Sequence, residues 1–447
     1  RVLFYLLFLK KDILVVKYMK KGRCMNNMNK GWNPFLNLVI DLKRTYQEVL
    51  KKEFDYYPID ARVNKTCINR WLDELNDDKY KNMFSGLLLW QYKDYVVAHY
   101  LNYYTAINEN GEEVHYKDFF KVYQGLYMEC RGVMIDVKHE KLVLAPFRKF
   151  MNLEECEETS LENIKKRIEG AKTIEFTDKL DGSMISAGMY GNKLAVCGSS
   201  CNHPEKSVPV KNSIQYINEH ENYMEMLSMN PERTFIFEHV FPKIDTHVVN
   251  YQNCGLYLIG IRELKNGREW PYRDVVKMAE KFQIPATTIF PKTLDAVLEE
   301  LDQKEANEAE GFVLNIDGFK VKIKYNDYIS INRLIYGLVT PNGVIRAIED
   351  KTFDDCISKM PQVYKEKAIT YRKEVIEMIQ RIDKKTDDYL KMVPGGTKKE
   401  DMIWIVEHVP KQIRSFVVHK YKEQEYSYLK ADTGHYRTYA ELQKLLI

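Results

Sequence analysis

Lys179, Asp181 and Gly182 stand in the run Glu175-Phe176-Thr177-Asp178-Lys179-Leu180-Asp181-Gly182-Ser183. The β-favouring Thr173, Ile174 and Phe176 lead into it, and a second strand-like run, Met184 to Met189, follows at once. This spacing presents a lysine at a strand end. A lysine amine is a poor nucleophile while protonated and a good one when desolvation or neighbouring cations lower its pKa. Gly182, lacking a Cβ, lets backbone approach a ligand closely. The chemistry that suits such a lysine is attack on the α-phosphorus of a nucleotide, leaving the nucleotidyl group on the amine as a phosphoramide. Asp-Gly before a strand is also an ordinary hairpin signal, so the flanking sequence decides between the two.

Further candidates come in order. Arg131-Gly132 and Lys149 precede the lysine; Phe237-Glu238 lies in an apolar strand, Glu310-Gly311-Phe312-Val313 opens another, and Val321-Lys322-Ile323-Lys324 closes a third. Strand alternation places Lys322 and Lys324 on one face and Val321 and Ile323 on the other. Two ammonium groups, unpaired along that strand, suit a triphosphate, and by repelling a third they would help to keep Lys179 neutral. Glu238 and Glu310 offer oxygens to, or next to, a magnesium ion that neutralises a departing pyrophosphate. Each piece has a plainer reading, a strand cap or a solvated strand face; together and in this order they favour a nucleotide site.

These residues need strands to hold them. Leu87 to Tyr104, rich in aromatic and β-branched residues such as Tyr92, Val96, Val97, Tyr100 and Tyr103, predicts strands that form sheet core. Cys130 to Val137 and Leu142 to Ala145 predict a hairpin, Thr234 to Val240 and Leu256 to Arg262 two more strands, and Gly311 to Ile316 with Phe319 to Lys324 a hairpin across Asp317-Gly318. Residues 36–56, Ser213 to Met229, Asp274 to Phe282 and Leu294 to Leu301 read as helices. From Gln362 to Met392 the pattern is helical, with Val375, Ile376, Ile379 and Ile382 on one stripe, until Pro394-Gly395-Gly396 breaks it. The expected fold class is α+β, antiparallel sheets followed by a mostly helical C-terminal part. The expected domains are 1–30, an N-terminal extension; 31–330, carrying the nucleotide residues; and 331–447, helical.

A chain of 447 residues supports two or three domains. Lys plus Arg total 67 against 64 Asp plus Glu, so the molecule is no polycation and a nucleic-acid surface must be local. Eight cysteines scattered over this length predict reduced thiols and a cytoplasmic protein. Cys197-x-x-x-Cys201-x-His203 has zinc-ligand residue types, but the missing second pair at finger-like spacing weighs against zinc. The apolar run Val2 to Leu9 is too short to span a membrane. Because the chain opens with Arg1, an upstream extension is expected, with translation starting at Met19, Met25 or Met28.

The motif series resembles the covalent nucleotidyltransferases, which include DNA ligases, RNA ligases and mRNA capping enzymes: Lys-x-Asp-Gly at Lys179 to Gly182, Phe237-Glu238, Glu310 to Val313, and Lys322 to Lys324. Within that superfamily it is most similar to the phage-type RNA ligase 1 family. Glu129-Cys130-Arg131-Gly132 and Lys149-Phe150-Met151-Asn152 match that family's Glu-Cys-Arg-Gly and Lys-Phe-x-Asn. The likeness covers roughly Tyr95 to Tyr328. It implies an ATP-grasp-like ligase fold in which Lys179 takes AMP from ATP. Tyr100, Arg131, Lys149, Asp181, Gly182, Glu238, Glu310, Lys322 and Lys324 would hold the nucleotide, Glu238 at the ribose, and Asp181, Glu238, Glu310 and Asp354 would hold Mg2+ or Mn2+. Two departures stand out: Phe150-Met151 where the family commonly has Phe-Phe, and Cys197 where it has a lysine before Gly-Ser. The second weakens one ligation step unless Lys193 or Lys206 compensates.

The resemblance further implies an RNA ligase that joins a 3′-OH to a 5′-phosphate through lysyl-AMP and RNA-adenylate, with RNA repair, nicked tRNA included, as its work and the helical part choosing the RNA. Its place would be the cytoplasm, the host's if the chain is viral, with no membrane contact. With no Gly-x-x-x-x-Gly-Lys-Ser/Thr loop in the sequence, a separate kinase or phosphatase would prepare the ends. A DNA-directed ligase, or an RNA-binding protein with a relic catalytic domain, is the alternative.

Overall fold

A computed structural model describes residues 31–60, 62, 65–100, 106–242, 247–358, 360, 362–431 and 433–447. The run Val2–Leu9, the candidate starts Met19, Met25 and Met28, and Tyr103 and Tyr104 lie outside the described residues. The chain divides into two compact units. The first gathers the described residues of Arg1–Lys149 with Met184–Phe237 and Leu258–Pro285; the second gathers Phe150–Ser183, Glu238–Tyr257 and Ala286–Ile447.

In chain order the strands are β1 (Leu87–Tyr92), β2 (Tyr95–Tyr100), β3 (Ala106–Ile107), β4 (Glu113–Val114), β5 (Arg131–Asp136), β6 (Lys141–Leu144), β7 (Ile174–Asp178), β8 (Ser183–Tyr190), β9 (Lys193–Gly198), β10 (Arg233–Val240), β11 (Gly255–Glu263), β12 (Ile289–Phe290), β13 (Gly311–Ile316) and β14 (Phe319–Lys324). They form four-stranded sheets in the orders β1-β2-β5-β6, β11-β10-β8-β9 and β12-β7-β13-β14, with β3 and β4 as a separate pair.

The first unit opens with the helix Pro34–Leu50, whose Asn33 side chain accepts the Leu36 N–H and whose end is set by Lys51 in the left-handed region. It buries Phe35, Leu38, Val39, Leu42 and Tyr46. The stripe expected over 36–56 therefore stops early, and Val49 is exposed. Lys43, buried on this helix, donates to Val137 O at 3.0 Å and pairs with Glu140, fixing the helix to the β5–β6 turn. The helix expected from Ser213 to Met229 is two, Val208–Glu219 and Glu221–Ser228, because His220 takes extended backbone between them.

In the second unit the β13–β14 hairpin turns on Asp317 and Gly318, both with positive φ, as a type I′ turn requires. Phe312, Leu314, Val321 and Ile323 of this hairpin share one apolar core with Tyr328, Ile335, Leu338, Val344, Phe353 and Ala368 from the helices that follow. The first of these helices is Asn326–Leu338, so the expected boundary at 330/331 falls inside it. The long helix Gln362–Lys391 joins Val375 and Ile382 to Ile405, Phe416, Val417 and Leu442 in a second core. The fold is the expected α+β class, with antiparallel sheets and a helical C-terminal region. Among the described residues no helix is long and apolar enough to cross a membrane.

Candidate active site

Lys179 follows β7 directly, and its backbone N–H donates to Gly311 O at 2.9 Å, which ties it to the start of β13. One residue before that strand, Glu310 is 3% exposed and holds two ammonium groups: Lys179 Nζ at 2.7 Å on one oxygen and Lys324 Nζ at 2.7 Å on the other. Gly311 is opposite Lys324 in the β13–β14 register, so pairing of the strands brings the three side chains together. The sequence led us to expect Lys324 unpaired and repelling Lys179 into its neutral form. Instead the two cations share a carboxylate. Burial alone would lower the Lys179 pKa, but the charges of Glu310 and Glu238 outweigh it and hold the amine above its ordinary value. Burial pushes Glu310 up, yet the two lysines bring it below the usual carboxylate range. Asp178, beside Lys179, is pushed up to about 6, by burial first, with Lys179 lowering and Glu310 raising it.

Asp181 is bound into the loop that Lys179 begins. Its backbone N–H donates to Tyr251 Oη at 2.5 Å, its Oδ2 accepts the N–H groups of Val248 and Val249 at 2.7 and 3.2 Å, and its Oδ1 accepts Tyr328 O–H at 2.9 Å. A side chain at Gly182 would meet His239 O at 2.6 Å and Glu238 Cγ at 2.8 Å, so glycine there lets the loop lie against Glu238. Tyr328 also sits under Lys324, 5.2 Å from ammonium to ring centre. Sequence reasoning missed Tyr328, Tyr251 and Asp178. Only the position of Tyr328, four residues past Lys324, held a signal.

Lys322 and Lys324 do share a face of β14, with Val321 and Ile323 buried on the other. The segment after Lys149 runs along this strand: Lys322 N–H donates to Met151 O at 3.0 Å and Leu153 N–H to Lys322 O at 2.8 Å. Phe150 places its ring 4.9 Å from the Lys322 ammonium, and Met151 is buried.

In the first unit Tyr100, Arg131 and Lys149 converge on the junction between the helical turn Leu126–Glu129 and β5. Tyr100 N–H donates to Cys130 O at 2.8 Å and Lys149 N–H to Met128 O at 2.7 Å. Lys149, nearly buried, donates from Nζ to Tyr100 Oη at 2.9 Å and lies 4.2 Å from that ring's centre. His99 is opposite Arg131 across a bulge in the β2–β5 register and shares a hydrogen bond with Ser199 O at 3.0 Å. Its pKa falls to about 4 through burial, against the pull of the Ser199 bond, with the charges of Arg131 and Lys149 adding to the fall.

Cys197 is fully buried among Val97, Met134, Val143, Leu144 and Ala195, with its thiol raised well above the ordinary value by burial. A lysine in that place would strand a charge in apolar surroundings. Lys193 stands at the other end of β9, about 16 Å from Gly198 by strand rise, and Lys206 is exposed. Cys201 accepts His203 N–H at 3.3 Å, and the His203 ring lies against Tyr92. Asp354, on the helix Phe353–Ser358, is exposed and paired with Arg372 at 2.8 Å. Among the described residues no three His, Cys, Asp or Glu side chains are arranged to hold a metal.

A family model described as RNA ligase, of the phage ligase 1 type, matches residues 129–328, less than half of the chain. That segment is similar to the RNA ligase family. The RNA ligase match takes in Arg131, Lys149, Lys179, Asp181, Gly182, Glu238, Glu310, Lys322, Lys324 and Tyr328, and leaves out Tyr100 and Asp354. Among solved structures the chain is similar to a Naegleria gruberi RNA ligase variant with ATP and Mn, at 20% identity over 38% of this chain and 54% of that one, TM-score 0.32. It is also similar to an archaeal ATP-dependent RNA ligase, at 14% identity over 53% and 66%, TM-score 0.36, and to the Naegleria gruberi RNA ligase with PPi, at 16% identity over 56% and 82%, TM-score 0.32. The chain spans about half the length of the first of these. No curated protein matches it.

Proposed function

We propose that the chain is an ATP-dependent RNA ligase with Lys179 as its nucleophile. The observation that carries this reading is the buried Lys179–Glu310–Lys324 group at the end of β7, inside the segment matched by the RNA ligase family. The Lys179 amine, once it loses a proton, forms a bond to the α-phosphorus of ATP as the bond to the β-phosphate oxygen breaks and pyrophosphate leaves. AMP then passes to an RNA 5′-phosphate, and an RNA 3′-OH displaces it to close the strand. Arg131, Lys149, Lys322 and Lys324 act on the phosphates as fixed positive charge, where most phosphoryl-transfer catalysis lies.

The carboxylates fit a lightly held divalent ion. Glu238, against Gly182, is the side chain we assign to Mg2+ or Mn2+, since such an ion commonly binds one or two carboxylates with substrate phosphates and water completing its shell. When bound, it neutralises charge on the phosphates.

RNA with 3′-OH and 5′-phosphate ends is the substrate, a nicked tRNA the form that repair would offer, and a separate kinase or phosphatase the source of those ends. The seven described cysteines, all unbridged, support a reducing cytoplasm as the setting. The test is incubation with ATP labelled at the α-phosphate. The wild-type chain should take up covalent label and Lys179→Ala none, in a variant that still unfolds cooperatively, at a lower temperature because Glu310 loses one of its two buried partners. A label that survives in the variant refutes Lys179 as nucleophile, and a wild-type chain that takes up none is a binding protein.

A further inference from the structure

Arg262, near the end of β11, is 5% exposed and belongs to none of the nucleotide motifs. Its guanidinium makes three hydrogen bonds. Nη1 donates to Glu129 Oε2 at 2.8 Å and to Pro146 O at 2.7 Å, Nε donates to Gly267 O at 2.8 Å, and the group stacks over the Trp32 ring at 4.5 Å. Glu129 stands two residues before Arg131, and Pro146 three residues before Lys149. One buried cation thus grips both segments that deliver the first unit's cationic side chains. Two residues earlier on the same face of β11, Gly260 makes room for Phe147: a Cβ there would lie 2.1 Å from the Phe147 ring.

From this we infer that Arg262, with Gly260, is a positioning residue for ATP binding: it sets the separation and aim of Arg131 and Lys149 without touching the nucleotide. The physical reason is preorganisation. Charges aimed at phosphate must be held by groups whose own bonds are satisfied. The Arg262–Glu129 pair, an ion pair with a backbone carbonyl and an aromatic face as further partners, meets that condition. Lysine at 262 could keep one point contact but not the fork that serves Glu129, Pro146 and Gly267 together. The inference rests on the ligase reading for the roles of Arg131 and Lys149.

Removing Arg262 alone strands Glu129 in the interior and could unfold the chain, whereas replacing both charges with apolar side chains commonly preserves the fold. The experiment therefore uses the full chain with Arg262→Met, Arg262→Lys and the pair Glu129→Met with Arg262→Met, each checked by thermal unfolding. Self-labelling by ATP is followed against ATP concentration, and pyrophosphate binding is measured separately by calorimetry. The folded variants should need about tenfold more ATP for half-saturation, with a smaller change in the saturating rate. Pyrophosphate binding should weaken in parallel. In a Lys149→Ala background Arg262→Met should add less than about twofold, because the residue acts through those cations. Unchanged half-saturation and pyrophosphate affinity in folded variants, or an undiminished effect in the Lys149→Ala background, overturns the inference. A wild-type chain that takes up no label but loses pyrophosphate binding on Arg262→Met refutes the ligase reading and keeps the clamp.

Discussion

At the scale of single residues the site is a charge-sharing problem. As the proposed nucleophile Lys179 would have to lose a proton, yet Glu310 and Glu238 favour the proton. Self-labelling at saturating ATP should therefore rise with pH, by about tenfold per unit between about pH 7 and 9, if only the free amine attacks; a flat profile would show that ATP binding has already displaced the proton. For stability the signs differ within the group. Lys179, raised, contributes below the ordinary lysine value and loses this as pH rises through its own. Glu310, lowered, contributes above the ordinary glutamate value and loses this as pH falls through its own. Asp178 works the other way: its carboxyl, raised to about 6, binds a proton more tightly folded than unfolded, so its contribution is full below 3.8 and declines as pH climbs to about 6. Asp178→Asn should abolish that decline, as seen in unfolding temperature measured from about pH 4 to 7. An unaltered pH profile would mean that Asp178 does not titrate there.

At the scale of elements, strand pairing converts sequence order into site geometry. The β13–β14 register puts Gly311 opposite Lys324 and Val313 opposite Lys322, so a slip of one residue would turn both lysines into the apolar core. Lys324→Ala removes a partner of Glu310 and a fixed charge, and should slow self-labelling by roughly 3 kcal/mol, about a hundredfold. Lys322→Ala should cost a similar amount, and parental labelling rates in both variants would reduce the pair to a solvated face. Gly182→Ala forces a Cβ against Glu238 and the His239 carbonyl, so the loop carrying Asp181 must shift. Labelling should fall sharply while unfolding temperature changes little, because Asp181 keeps its partners on residues 248–251; a large fall in stability with normal labelling would show that the loop yields elsewhere.

At the scale of the whole molecule, the C-terminal helices are part of what holds the β13–β14 hairpin that carries Lys322 and Lys324. Tyr328, Ile335, Leu338, Val344 and Phe353 share a core with Phe312, Leu314, Val321 and Ile323. Ending the chain at residue 330 would cut the helix Asn326–Leu338 and uncover that core, which at about 25 cal/mol per Å2 of apolar surface is a loss of several kcal/mol. Such a truncation should aggregate or unfold at much lower urea than the full chain. A soluble, cooperatively folding 31–330 fragment that labels normally would show that the helices serve only the RNA. A choice of RNA by residues 331–447 is better tested by substitutions on their exposed surface, with sealing of a nicked tRNA compared with sealing of an unstructured strand.

The sequence by itself determined the place of Lys179 at a strand end, the order of its companion motifs, the strands that carry them and the α+β class, because each depends on local periodicity or on residue types at fixed spacing. The turn at Asp317-Gly318 and the face shared by Lys322 and Lys324 were legible for that reason. Tertiary structure alone decided who pairs with whom. Glu310 is 131 positions from Lys179 in the chain, and nothing local says that it binds two lysines instead of leaving one neutral. Arg262 reads as the end of an apolar strand until folding brings Glu129 and Pro146 to it. Cys197 reads as a lost cation until its burial shows a core position. Charge balance in an interior depends on distance and dielectric, and a one-dimensional pattern carries neither.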